Sequence, residues 1–285
     1  MALPPRLRAY LDRIGMAEPP SLDAGGLCAI QAAHRRAIPF ENLSVRMGGS
    51  VSSEADTVFD KLVTQERGGF CFEHNRLFAD MLALAGFSCR LLLARVLLGN
   101  PEAMPPRTHC LLLVALEDGD WIADAGFGGA YAPPMPLADG AEAQSRDGAL
   151  HRLRHCADEG ALPGSWLLHR KGPRLAGDGR AQSDDAWEPQ YAFDMAMVAE
   201  ADLAIGCHWS ATHPTSRFTN HTIVSLCLPD GFASMVDRDL TVWRKGHEVD
   251  RRKVVDADEY RDVLEAHFGL AMGPADIARL PLFPA

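Results

Sequence analysis

Apolar positions recur at helical spacing through the first 86 residues, and the pattern switches to strand-like runs after Gly86. Leu7, Tyr10, Leu11 and Ile14 share one face of a helix over residues 5–14, which Gly15 stops. Ser21 or Asp23 can cap a second helix that covers Leu27, Ile30 and His34 and runs up to Arg36. Ile38-Pro39-Phe40-Glu41-Asn42-Leu43 follows as an apolar loop with a carboxylate embedded in it. Ser53 can cap a third helix through Val58, Phe59, Leu62 and Val63. Leu77, Phe78, Met81, Leu82 and Leu84 mark a fourth, closed by Gly86.

After Gly86, residues 87–98 read as a strand, turned by Gly99-Asn100-Pro101. His109–Leu116 is a second strand. Residues 117–120 form a hairpin turn, and Trp121–Ala125 is a third strand. The stretch 131–195 is rich in Gly, Pro and Asp and alternates weakly, which predicts short strands with long loops. Residues 187–200 read as a short helix or a linker. Strands are predicted over His221–Leu228, ended by Pro229-Asp230-Gly231, and over Leu240–Arg244. A helix over Asp256–Phe268 ends at Gly269. The reading is α+β in three units: a helical unit 1–86, a strand-rich unit 87–195 and a mixed unit 196–285.

Composition narrows the partners. The 285 residues carry a net charge of −10, which argues against non-specific binding to DNA or to anionic membranes. It leaves room for a polyanionic ligand in a local basic pocket. The most apolar runs, Leu91–Leu98 and Cys110–Leu116, fall far short of the about 20 residues a membrane helix needs. The first residues show no apolar signal segment. Seven scattered cysteines without a CxxC pair speak against a zinc ribbon or a dithiol redox motif. They fit single thiols in a reducing, cytoplasmic compartment.

One cysteine differs from the rest. Arg67-Gly68-Gly69-Phe70-Cys71-Phe72-Glu73-His74-Asn75 places Cys71 behind a tight Gly-Gly turn, at or near the N-terminus of the fourth helix. A free thiol has a pKa of about 8.5, and the N–H groups and partial positive charge of a helix N-terminus favour its anion. The alternative is an inert core cysteine. Activation also needs a base, and a third group to orient that base.

Among the eleven histidines His109 stands out by position, because it opens an apolar strand at the edge of a cleft. The next strand carries Asp124, where an unpaired carboxylate would be costly and an imidazolium is a suitable partner. A hairpin turning near Gly119 brings the two within reach if they share a face. Gly126, Gly128 and Gly129 either let the backbone approach a ligand closely or form a plain turn.

These blocks, together with Ile38–Leu43 and Ser210-Ala211-Thr212-His213-Pro214-Thr215-Ser216-Arg217-Phe218-Thr219-Asn220, resemble the arylamine N-acetyltransferases in order from residue 38 to 220. Phe70 stands where that family often has tyrosine, and Ala125 where it often has valine. The resemblance implies a helical first domain, a central β-barrel and an α/β lid around a core like that of cysteine proteases and transglutaminases. It implies a triad of Cys71 as nucleophile, His109 as base and Asp124 as orienter. It implies ping-pong transfer of acetyl from acetyl-CoA to arylamines, arylhydrazines and N-hydroxyarylamines, with no metal. Phe40, Phe70 and Phe127 would hold the aryl ring, though Phe40 can equally be a core aromatic. Gly126, Gly128 and Gly129 would face CoA.

Of the polar residues beside the thiol, Arg67 is expected to pair with Glu41 or Glu73 as scaffolding, and the His213–Ser216 loop to pack at the mouth of the site. The Cys71 N–H and a nearby loop N–H are candidate oxyanion donors. The same triad would also serve a thiol hydrolase or transglutaminase-like enzyme, or an amide synthase that closes macrocycles. A catalytically silent binding protein is the remaining alternative.

Overall fold

The computed structural model describes residues 3–156, 162–174, 177, 179–245 and 247–283. Helices α1 (Pro5–Arg13) and α2 (Ala24–Ala37) lead into β1 (Phe40–Glu41), α3 (Leu43–Arg46) and α4 (Ala55–Phe59). The last of these continues as one π-type turn to Thr64, ahead of α5 (Cys71–Ala85). Eight strands follow: β2 (Ser88–Val96), β3 (His109–Leu116), β4 (Gly119–Ala123), β5 (Met135–Pro136), β6 (Glu142–Gln144), β7 (Leu150–His155), β8 (Trp166–Lys171) and β9 (Glu188–Phe193). The chain then forms α6 (Glu200–Thr212), α7 (Arg217–Asn220), β10 (Ile223–Leu228), β11 (Gly231–Val236), β12 (Asp239–Arg244), β13 (His247–Lys253), α8 (Ala257–Phe268) and α9 (Pro274–Ile277).

Local chemistry explains the helix ends. Asp23, not Ser21, caps α2 by accepting from the Gly26 N–H at 2.8 Å, and Ser21 donates to the same carboxylate. Asp256 caps α8 through the Glu259 N–H, and Gly269 ends it at φ 66°. Glu54 rather than Ser53 stands at the N-cap of α4.

β2 to β9 form a nearly closed antiparallel sheet in the order β5-β4-β3-β2-β9-β8-β7-β6. A second antiparallel sheet runs β1-β10-β11-β12-β13. The expected apolar loop at Phe40 is therefore a two-residue edge strand, with Phe40 opposite Ser225 and Glu41 opposite Val224. This ties the first helices to the last sheet. Residues 187–200, expected to be a helix or linker, hold β9, and α6 begins only at Glu200. A core cluster that includes Tyr10, Leu27, Leu77 and Phe78 packs α1, α2 and α5 against Leu112 and Val114 of β3 and Ala123 of β4. That packing sets the N-terminus of α5 against the first residue of β3.

Candidate active site

Cys71 is the first residue of α5 and is 3% exposed. The two glycines before it are needed for proximity, because neither has a positive φ. A Cβ on Gly68 would lie 2.2 Å from the Pro39 carbonyl oxygen, and one on Gly69 would lie 2.8 Å from a Glu73 carboxylate oxygen. The Glu41 N–H donates to the Gly69 carbonyl at 2.8 Å, and the Phe70 N–H donates to Glu73 Oε2 at 3.0 Å. The turn before the thiol is thus locked on both sides.

Leu112 stands opposite Ala123 in the β3–β4 ladder, so Asp124 lies just past its end on the same face as His109. His109 Nε2 and Asp124 Oδ2 are 2.7 Å apart, and both side chains are buried. Asp124 Oδ1 accepts from Asn75 Nδ2 at 3.0 Å and from the Gly126 N–H at 2.9 Å. Burial acts to raise the Asp124 pKa. The charge of His109 and the hydrogen bonds from His109, Asn75 and Gly126 outweigh it and hold the carboxyl below its usual range. Asp124 therefore stays an anion, and its bond to Nε2–H leaves Nδ1 of His109 as the nitrogen free to take a proton.

The thiol itself departs from expectation. Burial pushes Cys71 well above its ordinary range, the charge of Asp124 adds to this, and a hydrogen bond with the Phe72 backbone opposes it. The helix N-terminus alone does not yield a thiolate here. An adjacent cation has to accompany the anion.

Cys71, His109, Gly126 and Phe127 line one cavity of about 180 Å³, with Phe40, Trp209, Ser216, Arg217 and Phe218 among its other walls. Phe70 does not line it, and instead packs edge-on against Phe72 and Phe218 behind the thiol. Thr215 and Ser216 of the predicted mouth loop do reach it. The three glycines after Asp124 line it too, but their lack of a side chain has a packing cause. A Cβ on Gly126 would lie 2.9 Å from Cys71 Cα, one on Gly128 2.5 Å from the Phe40 ring, and one on Gly129 2.6 Å from Leu98. Among the described residues, no group of three His, Cys, Asp or Glu side chains could hold a metal ion.

Comparison with known proteins decides the family. Residues 23–277 match the family model described as N-acetyltransferase. The arylamine N-acetyltransferase of Escherichia coli is 34% identical over 273 residues, 95% of this chain and 91% of the relative. The chain belongs to the arylamine N-acetyltransferases. It is thus a member of a family of acyltransferase enzymes. The arylamine N-acetyltransferase / N-hydroxyarylamine O-acetyltransferase of Salmonella typhimurium is also 34% identical, across 93% of this chain and 89% of its own length. The solved Salmonella typhimurium arylamine N-acetyltransferase superposes with a TM-score of 0.87 at 32% identity, covering 98% of each chain. The Mycobacterium marinum arylamine N-acetyltransferase in complex with CoA superposes with a TM-score of 0.83 at 30% identity, covering 96% of this chain and 98% of its own.

In this arylamine N-acetyltransferase chain the polar frame around Cys71 pairs specifically. Arg67 Nη2 meets Glu41 Oε1 at 3.1 Å, while Glu73 is taken by Lys61, with Nζ 2.7 Å from Oε1. Lys61 is a partner the sequence reading missed. Because Glu73 is buried, Lys61→Met is expected to cost about 3–5 kcal/mol of stability, measurable by urea unfolding. A loss below 1 kcal/mol would show that Glu73 is neutral in the native state.

Two further residues of α2 escaped the sequence reading. Gln31 Oε1 accepts from the Asp124 N–H at 2.7 Å while its amide donates to the Ala132 carbonyl at 2.8 Å. Arg35 donates to the carbonyls of Ala125 and Phe127 at 3.2 and 2.9 Å. The backbone on both sides of Asp124 hangs on these two side chains. Their signal in the sequence is weak: two polar groups on a helix whose neighbours Leu27, Ile30 and His34 already mark the buried face.

Burying uncharged histidines leaves a pH signature. Burial holds His74 and His151 down to about 3, and holds His34 well below its ordinary value. The unfolded chain binds protons near pH 6.5 and the folded one does not, so these histidines cost stability as pH falls below 6.5. Each lost pH unit removes about 1.4 kcal/mol per histidine until the folded-state pKa is reached. Urea melts at pH 7 and pH 5 are expected to differ by several kcal/mol. Equal midpoints would refute the assignment.

Proposed function

We propose that this chain transfers acetyl from acetyl-CoA to arylamines, arylhydrazines and N-hydroxyarylamines by a ping-pong route through acetyl-Cys71. The observation that carries the reading is the placement of Cys71 and His109 on the wall of one cavity, with His109 Nε2 held on Asp124. Burial disfavours loss of the thiol proton to solvent. Transfer to His109 Nδ1 instead creates a thiolate–imidazolium pair beside the Asp124 anion, which compensates the charge locally. The thiolate attacks the thioester carbonyl carbon, the Cys71 N–H at the start of α5 faces the developing oxyanion, and the CoA sulfur leaves with the electron pair and takes the proton from His109, which returns to the neutral imidazole. The amine then attacks the acetyl-cysteine carbonyl, the C–S bond breaks with its electron pair returning to the Cys71 sulfur, and neutral His109 receives the proton the amine loses, which restores the thiolate–imidazolium pair.

The cavity walls suit this pair of substrates. Phe40, Phe127, Trp209 and Phe218 offer ring faces and edges to an aryl group, and Arg180 and Arg217 are cations in an otherwise acidic protein. The units 1–86, 87–195 and 196–285 then serve distinct purposes: the first carries the nucleophile, the second the base and its orienter, the third part of the cavity wall.

Brief exposure to acetyl-CoA followed by intact mass and peptide mapping tests the first half. One acetyl group on Cys71, removed on addition of an arylhydrazine, is the expected result. An acetyl-enzyme that decays equally fast without the amine would make the protein a hydrolase.

A further inference from the structure

A buried chain of hydrogen bonds crosses three helices and ends beside the cavity. Tyr10 Oη and His34 Nδ1 are 2.8 Å apart, His34 Nε2 and His74 Nδ1 are 2.8 Å apart, and His74 Nε2 lies 3.1 Å from the Pro39 carbonyl oxygen. All three side chains are fully buried. One proton arrangement satisfies every group. The Pro39 carbonyl can only accept, so His74 carries its proton on Nε2 and accepts on Nδ1. His34 must then donate from Nε2 and accept on Nδ1, and the Tyr10 hydroxyl donates to it. Burial keeps both imidazoles neutral, which this arrangement requires.

The far end of the chain is the residue before Phe40. The Phe40 ring lies nearly parallel to the His74 ring, at 11° with centroids 6.1 Å apart. It also leans on Phe218 at 5.9 Å, fills the space over Gly128 and forms part of the cavity wall. His74 thus grips Phe40 twice, by a hydrogen bond to the preceding carbonyl and by ring contact. Neither His74 nor Tyr10 is among the residues that line the cavity with Cys71.

We propose that the Tyr10–His34–His74 chain is a positioning device that sets the Phe40 wall of the acceptor subsite, so that it governs acceptor affinity and leaves acetylation of Cys71 untouched. The inference rests on the acetyl-transfer reading and adds to it residues from α1, α2 and α5. His74→Leu removes both the donor to Pro39 and the acceptor for His34, and Phe40 loses its reference point. His74→Gln keeps one donor and one acceptor on a single planar group. Tyr10→Phe keeps the packing and removes only the terminal donor.

The test separates the two half-reactions by following acetylation of Cys71 by acetyl-CoA alone, and then turnover with increasing arylhydrazine. For His74→Leu the KM for the hydrazine is expected to rise about tenfold, with the acetylation rate within about twofold of the parent. Tyr10→Phe is expected to move KM the same way by about threefold, and His74→Gln to recover most of the loss. A folded His74→Leu whose two half-reactions fall together, or whose KM is unchanged, overturns the proposal. If that variant does not fold, Tyr10→Phe decides by the same split. Failure of the parent enzyme to take up acetyl at all would instead defeat the acetyl-transfer reading.

Discussion

Cys71→Ala is expected to lower acetyl transfer by about 10⁴-fold or more and to leave the protein folded. The thiol is held only weakly, by a 3.5 Å contact with the Thr108 carbonyl and a hydrogen bond with the Phe72 backbone. Its removal leaves a small gap beside a cavity that already exists, so the stability cost is about 1 kcal/mol. The chemical cost is of another order, because no covalent intermediate can form. Cys71→Ser separates nucleophilicity from shape. An alcohol ionises far above a thiol, and the same burial and the same Asp124 charge that raise Cys71 act on it too. The serine variant should therefore be nearly as inactive as the alanine one despite keeping an attacking atom. Steady-state turnover with acetyl-CoA and an arylhydrazine measures both. An alanine variant within tenfold of the parent would remove Cys71 from the mechanism.

The three residues at the centre were legible because each sits where an element begins or ends. Cys71 opens α5, His109 opens β3, and Asp124 follows the last residue of β4. A polar residue at the boundary of an apolar run is conspicuous, and hairpin geometry brings the second and third together without knowledge of the fold. Their attachment to Cys71 was a different matter. It depends on Asn75, which bonds Asp124, the Ala125 N–H and the Cys110 carbonyl, and on Gln31 and Arg35, whose partners lie about ninety residues away. No local pattern encodes a pairing at that separation.

The helix α6 was missed for a physical reason. Its buried positions include Gly206, Cys207 and Ser210, while Ile205 is exposed, so its inner face is small and weakly apolar. A Cβ on Gly206 would stand 2.6 Å from the Phe72 ring. The helix binds the core by close approach, and that leaves no stripe of large apolar residues to read. β13 is hidden for a related reason. It is a mostly exposed edge strand of charged residues, defined by its partner β12 and not by burial. The glycine-rich turn after Asp124 was legible as a turn, but its packing partners were not. A Cβ on its glycines would meet Cys71, Phe40 and Leu98, which come from distant parts of the chain.

Asp124→Asn is expected to lower turnover by about 10⁴-fold with little change in fold. The two oxygens of Asp124 have different partners, and this makes the substitution informative. Oδ1 accepts from Asn75 and from the Gly126 N–H, so the asparagine carbonyl oxygen will settle there. The amide nitrogen then takes the place of Oδ2, 2.7 Å from His109 Nε2. An amide nitrogen donates, so Nε2 must lose its hydrogen and accept. The ring proton moves to Nδ1, where it blocks the nitrogen that would otherwise receive the thiol proton. The imidazolium that pairs with the thiolate also loses its anion, and the Cys71 thiol has no stabilised route to ionise. The donor half-reaction should therefore collapse, which separates this variant from the acceptor-side variants of His74 and Tyr10. Rapid mixing with acetyl-CoA, followed by quantification of acetyl-Cys71, reads it directly. If Asp124→Asn acetylates within tenfold of the parent rate, the tautomer argument fails and His109 draws its orientation from elsewhere, with the edge contacts to Phe127 and Tyr191 the first place to look.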